Sequence, residues 1–334
     1  MKKYLILSPY AKDGLKNSGD DLIIKSLINL LNFYEKVNYN IVSIAKSTIN
    51  KEKTFNKINI NKYNALLVPG FRISIEGQEI LKIRLKYIQK AIINNIPIFL
   101  IGSSWCIYPG TITQTRLKIN SKEKALLKYI INSKKNYLST RDILTQKLLN
   151  NNNIKSYMSG DLALYDINQI NNELNFNQLN KIAISLPHNI NYYKDCAAIK
   201  DKIEKYYNCK VYICSHQHMN NYYSYINISG NYNNLDFYKT IDMHIGFRLH
   251  AHLWFLRNRK PSFLIAEDGR GNGHIKTWDD LGLHIKYLKN INIIDIINKQ
   301  LETNFDQTKN VLFKIDKTYN KKIKIMIKKI LGVK

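Results

Sequence analysis

Cysteine is rare in this chain, and its placement excludes more than its number. Cys106, Cys196, Cys209 and Cys214 form no C-x-x-C pair, so neither a disulfide framework nor a structural zinc ribbon is expected, and all four are read as reduced. Long apolar runs are missing too. No stretch of about 18 uncharged apolar residues occurs, and the opening MKKYLILSPY runs into a proline and a Lys-Asp-Gly turn without a small-residue cleavage site. That opening is read as the first strand of a cytoplasmic protein. Neither a G-x-G-x-x-G fingerprint nor a Walker lysine is present, which argues against a mononucleotide P-loop.

Acidic residues are outnumbered, 25 against 51 basic, for a formal charge of +26. Such a charge suggests a polyanion partner. The lysines, however, are spread along a chain rich in Asn, Ile and Tyr and form no single stripe, so no specific nucleic-acid partner is expected. Arginine is the scarce cation, with eight of the 51. A guanidinium grips carboxylate or phosphate with a planar fork, which an ammonium cannot do. Arg72, Arg141, Arg248 and Arg270 lie beside turns or glycines and are candidate anion binders. Arg84, Arg116, Arg257 and Arg259 lie in helical or charge-rich stretches and read as surface residues.

Strand-like runs at 4–10, 40–45, 65–70, 96–104, 136–140 and 155–161 alternate with helical patterns at 19–37, 79–94 and 121–132. A polar, asparagine-rich stretch after residue 165 reads as a linker. Strand patterns resume at 181–188, 209–217, 242–247 and 262–267. This alternation predicts an α/β protein of two doubly wound, Rossmann-like domains facing a cleft. The expected division is an N-terminal domain over 1–170, a C-terminal domain over 171–310, and a basic amphipathic helix over 311–334. In that last segment Tyr319, Ile323, Met326, Ile327 and Ile330 share a face among eight lysines. It reads either as a peripheral contact to an anionic membrane or as a terminal helix packed on the body.

The stretch HIGFRLHAH (244–252) holds three of the eight histidines. Helical spacing from Leu249 to Leu256 ends its strand at 247, so Gly246 makes the turn and Arg248 to His250 open a helix. A helix N-terminus binds anions through free N–H groups, here with Arg248 and His250 beside it; His244 and His252 could equally be packing residues. Three other stretches share this strand-turn-helix grammar. They are SPYAKDGLKNSGDDLI, with Gly19 and Asp20; STRDIL, with Arg141; and AEDGRGNGH, a glycine-rich loop carrying Arg270 that could close on a ligand.

Taken in order, NSGDD, Pro69–Gly70, IPIFLIGSSW with Pro109–Gly110 beyond it, STRD, SGDLAL, GFRLHAH and PSFLIAEDGRG resemble the polysaccharide pyruvyl transferase family up to about residue 285. The glycine-preceded RLHA is the most specific piece. The chain departs from the family where a GGG is replaced by VPGFRIS and where Gly102 is followed by Ser103 and Ser104; Arg72 adds a cation there. The resemblance implies a fold similar to the glycosyltransferase B type. It also implies transfer of a pyruvyl group from phosphoenolpyruvate onto a sugar of a cell-surface polysaccharide or its lipid-linked precursor, as a cyclic ketal.

The donor carries a carboxylate and a phosphate, and ketal formation needs a general acid and a base. His250 and Arg248 are the expected catalytic pair. Arg141, Arg270, Gly246, Leu249, Asp20, Gly19, Ser104 and His244 are the expected substrate-binding set, with Asp20 either a base or a turn residue. No metal or cofactor is expected; His216 and His218 have ligand spacing but no third partner in sequence. Two alternatives stand: a nucleotide-sugar-dependent glycosyltransferase of the same architecture, and a non-catalytic basic polyanion-binding protein.

Overall fold

The structure is a computed structural model that describes residues 1–11, 16–45, 48, 50–216 and 225–333. Two sheets carry it. The first contains β1 (Lys3–Ser8), β2 (Asn38–Ser43), β3 (Ala65–Pro69), β4 (Arg72–Ile73), β5 (Ile98–Trp105), β6 (Tyr137–Thr140) and β7 (Tyr157–Met158), in the order β2-β1-β3-β5-β6-β7 with β4 on β5. The second contains β8 (Lys181–Ser185), β9 (Lys210–Ser215), β10 (Ile226–Asn227), β11 (Met243–Gly246), β12 (Ser262–Ala266) and β13 (Gly282–His284), in the order β10-β9-β8-β11-β12-β13. Every strand pair is parallel. Both faces of the sheets are covered, which is why β3 and β12 are buried along their whole length and are apolar throughout except for Ser262.

The helices are α1 (Ser18–Tyr34), α2 (Lys51–Lys57), α3 (Lys82–Ile93), α4 (Ser121–Ile131), α5 (Ile143–Asn151), α6 (Tyr193–Tyr207), α7 (Leu249–Arg257), α8 (Gly269–Trp278), α9 (Ile293–Glu302), α10 (Asp306–Thr318) and α11 (Lys324–Leu331). Side-chain caps set several starts. Asn17 accepts from the Gly19 amide, Asp142 from Thr145 and Asp268 from Arg270.

After the second sheet the chain returns to the first. A π-turn at Tyr319–Ile323 joins α10 to α11, which packs on α1. Tyr4 Oη donates to the Ile330 carbonyl at 3.1 Å, and the Tyr34 and Tyr319 hydroxyls meet at 2.9 Å. The stripe expected as a possible membrane face, Tyr319, Ile323, Met326, Ile327 and Ile330, is buried in this contact. Its apolar surface is therefore covered by protein and not available to a bilayer; Lys317, Lys321, Lys322, Lys324 and Lys329 stay exposed.

The arginines expected at the surface are corrected in three of four cases. Arg84 is buried, paired with Glu123 at 3.4 Å and stacked on Phe71. Arg257 bonds the Tyr165 carbonyl and Asp166, and Arg259 bonds Asp316 and the Gln169 carbonyl. Each fixes a turn or helix whose carbonyls or carboxylates need a fork of donors, a demand that local sequence does not display.

Candidate active site

The second sheet reverses its strand order between β8 and β11, and ligands bind outside the carboxyl ends of strands at such a switch point. There Gly246 ends β11 so close to β8 that a Cβ on it would lie 2.5 Å from Ser185 Oγ. That hydroxyl accepts the Arg248 amide at 3.0 Å, and Arg248 becomes the N-cap of α7 without capping it by its side chain. The first-turn amides of α7 are thus left facing the switch point. Arg248 Nη1 lies 2.8 Å from His188 Nδ1, on the loop after β8. Arg270, in the first turn of α8, is held by two bonds of 2.6–2.8 Å to Asp268. Together with His216, Leu249, His250 and Glu267 these residues line a polar cavity of about 50 Å³.

The other wall comes from the first domain. Gly19, in the first turn of α1, abuts His250: a Cβ there would lie 2.3 Å from Nδ1. Arg141 Nη1 donates to Asp161 at 3.1 Å, and His250 Nε2 lies 3.8 Å from the same carboxylate oxygen. Among the described residues, Arg141 Nε and Nη2 and His250 Nε2 are buried without a hydrogen-bond partner. Three polar atoms so placed at the junction of the two sheets leave hydrogen-bonding capacity that a ligand could take up. A second cavity, of about 330 Å³, opens at the carboxyl ends of β1 and β3, walled by Pro9, Val68, Pro69, Gly70, Phe71 and Arg72.

The electrostatics divide the site into charged and neutral parts. Burial lowers His250 to about 4, opposed by Asp161 and reinforced by Arg141, Arg270 and Arg248. Burial also lowers His188 to about 3, with Arg248 and Arg270 adding to it. Both rings are neutral at pH 7. Burial pulls Arg248 down to about 10, and Arg270 pulls the same way, yet it stays charged. Asp20 is pushed up to about 6 by burial, against the pull of Arg270 and Arg141. Among the described residues Arg141 and Arg270 have carboxylates at ion-pair distance, whereas Arg248 has none so close and is supported only by the more distant Glu267. A buried cation facing a neutral imidazole and a helix N-terminus is a seat for an anion.

Arg248, Leu249, His250 and Arg270 therefore meet at one cavity with Asn17, while Gly19 packs on His250 and Asp20 and Arg141 stand within electrostatic reach without lining it. His244 does not face it. It is fully buried beneath, bridging Ser185 Oγ and Ser262 Oγ at 2.8 Å each. Ser104 sits in β5 opposite Arg72 of β4, and neither lines this cavity. The expected glycine-rich loop is corrected: residues 269–278 are helix, and the glycines serve close packing, Gly269 on Trp105, Gly271 on Ala266 and Gly273 on Asp142. His216 lines the cavity, and His218 lies outside the described residues.

Sequence reasoning missed His188, Glu267 and Asp161 as site residues. Glu267 accepts the His188 and Asn189 amides at 2.9–3.3 Å and so shapes the loop that holds His188. Their signal was positional. His188 follows the strand that strand order makes the neighbour of β11, and Asp161 stands in the SGDLAL segment already singled out.

The profile of the family described as polysaccharide pyruvyl transferase matches residues 17–269. No curated protein matches the chain. Among solved structures, the S. aureus MnaA–UDP co-structure aligns over 100% of this chain and 98% of its own at 12% identity, TM-score 0.52. A UDP-N-acetylglucosamine 2-epimerase from Rickettsia bellii aligns over 99% and 100% at 11% identity, TM-score 0.50. These likenesses concern the fold, two parallel-sheet α/β domains of the glycosyltransferase B type.

Proposed function

The chain belongs to the polysaccharide pyruvyl transferase family, and from that premise we propose that it moves a pyruvyl group from phosphoenolpyruvate onto a sugar of a cell-surface polysaccharide or its lipid-linked precursor. The observation that carries this reading is Arg248, a buried guanidinium with no carboxylate at ion-pair distance among the described residues, set at the N-terminus of α7 beside Arg270. The polar cavity there, lined by Arg248 and Arg270, suits a compact anionic donor such as phosphoenolpyruvate. In this reading Arg248 and the α7 amides take one anionic group of the donor, and Arg270 and Arg141 flank the other.

The chemistry assigns two further roles. A proton is added to the methylene carbon of the donor, a sugar hydroxyl bonds to the adjacent carbon, and phosphate leaves with its bonding electrons. A second hydroxyl of the same sugar then closes the ketal; one hydroxyl proton replaces the one consumed and the other leaves with phosphate. Asp20, raised to about 6, is the better proton donor. His250 is neutral at pH 7 and is the base for the hydroxyl. The acceptor is a glycan reaching from the larger cavity beside Pro69 and Arg72.

A cytoplasmic place of action belongs to the same proposal; among the described residues no helix is long and apolar enough to cross a membrane. The test is a thermal-shift comparison of phosphoenolpyruvate with UDP-, GDP-, CMP- and ADP-sugars, on wild type and Arg248→Ala, followed by phosphate release with acceptor glycan. A phosphoenolpyruvate shift lost in the variant supports the reading. A shift with a nucleotide sugar alone would replace it with a glycosyltransferase.

A further inference from the structure

Behind the anion seat lies a second polar centre that the proposed reaction does not use. His252 on α7, His274 on α8 and Asp280 in the turn before β13 are all buried. Their ligand atoms converge: His252 Nε2 and His274 Nε2 are each 2.7 Å from Asp280 Oδ2 and 3.1 Å from one another. We propose that these three side chains bind a divalent transition-metal ion of the zinc class, which clamps α7 to α8 beneath the anion site.

Three arguments support the assignment. The first is donor crowding. As hydrogen bonds alone, the contacts direct two N–H groups onto one carboxylate oxygen from nearly the same side, with the nitrogens in contact. A cation about 2.0–2.2 Å from each atom satisfies all three lone pairs at once and requires only a small widening of the triangle. The second is support behind the ligands. His252 Nδ1 lies 2.7 Å from Ser262 Oγ, and Asp280 Oδ1 accepts the Leu281 amide at 2.6 Å. Metal-bound imidazoles and carboxylates are oriented by such outer partners. The third is the donor set. Two imidazoles and one carboxylate, with no thiolate, suit zinc, cobalt or nickel better than the all-oxygen preference of calcium or magnesium.

The site has a structural consequence for its neighbours. Arg248 occupies the N-cap position of α7 and Arg270 lies in the first turn of α8, so an ion joining the two helices fixes the spacing of both cations. A metal on His252 Nε2 also leaves the proton on Nδ1, which then donates to Ser262 Oγ. Ser262 in turn donates to His244 Nδ1, and His244 Nε2–H to Ser185 Oγ, the acceptor of the Arg248 amide. The ion thereby sets the direction of every bond in that chain.

Metal binding at these three side chains is independent of the donor's identity and is read without any activity assay. Tag-free full-length protein, stripped with chelator and dialysed, is titrated with Co²⁺ while visible absorption is followed. Zn²⁺ competition, metal content by mass spectrometry and melting temperature complete the measurement. The expected result is one equivalent of Co²⁺ with ligand-field bands, displaced by Zn²⁺, and a melting temperature that rises with metal. His274→Ala and Asp280→Asn should lower the affinity at least 100-fold and lose the bands. Absence of bands and of stoichiometric metal in the wild type overturns the proposal, whether or not the variants fold. So does equal binding by folded variants, which would place the metal elsewhere.

Discussion

Arg248 Nη1 and His188 Nδ1 lie 2.8 Å apart, the cation buried and the ring held neutral, so the guanidinium's direct contact is an uncharged acceptor and Glu267 offsets its charge only in part, without an ion pair. A buried charge in that state costs stability until an anion arrives. Replacing Arg248 with Met is therefore expected to raise the melting temperature of the ligand-free protein, by about 1 kcal/mol of stability, while abolishing the shift given by phosphoenolpyruvate. Calorimetry with and without the anion checks both signs. A destabilised variant that still binds the anion would refute the role given to this residue.

His250 depends on the absence of a side chain at position 19. Gly19→Ala places a methyl group 2.3 Å from Nδ1, so the ring or the start of α1 must move. The expected outcome is a fall of about 100-fold in kcat, the loss typical of misplacing a catalytic group by an ångström, with donor affinity changed much less. Steady-state kinetics with separate donor binding decides; unchanged kcat sinks it.

The pH profile follows from two groups. With Asp20 near 6 acting as acid, turnover falls as pH rises through about 6, and with His250 near 4 acting as base, it falls again below about 4. Measured kcat/KM should peak between these values. In Asp20→Asn the fall above pH 6 should vanish along with most of the rate; a wild-type profile flat from pH 5 to 8 contradicts the assignment.

Removal of residues 319–334 is expected to destabilise the first domain. It uncovers the α1 face that Ile323, Met326, Ile327 and Ile330 bury. Even Ile327→Ala alone should cost about 2–5 kcal/mol, readable by urea denaturation. A truncated chain that melts within two degrees of wild type would show the packing to be dispensable.

What was legible in the sequence was local. The turn at Gly246 and the helix opened by Arg248 follow from glycine and from the spacing of Leu249, Leu253 and Leu256, and both stand in the structure. The parallel arrangement followed from alternating strand and helix patterns. What was not legible depends on which strands become neighbours and which helix faces meet. His188 enters the site because β8 pairs with β11. His252 and His274 are 22 residues apart, and only the packing of α7 beside α8 brings their rings together. Three glycines in five residues suggested a loop, whereas Asp268 caps a helix whose glycines admit Trp105, Ala266 and Asp142. The stripe at 319–330 allowed two readings, a bilayer contact or a terminal helix packed on the body, and the structure bears out the second: it packs on α1.

The bond from Tyr4 to Ile330 spans 326 positions, and it bears on the order in which the molecule can assemble. As the ribosome extends the chain from its amino end, the first sheet emerges early, yet one layer over α1 stays open until α11 has been translated. The intervening second domain has its own parallel sheet, although its α7 face shares one core with α1 and the C-terminal helices. The domain made first is thus finished last, and its exposed α1 surface is where a nascent-chain chaperone would be needed longest.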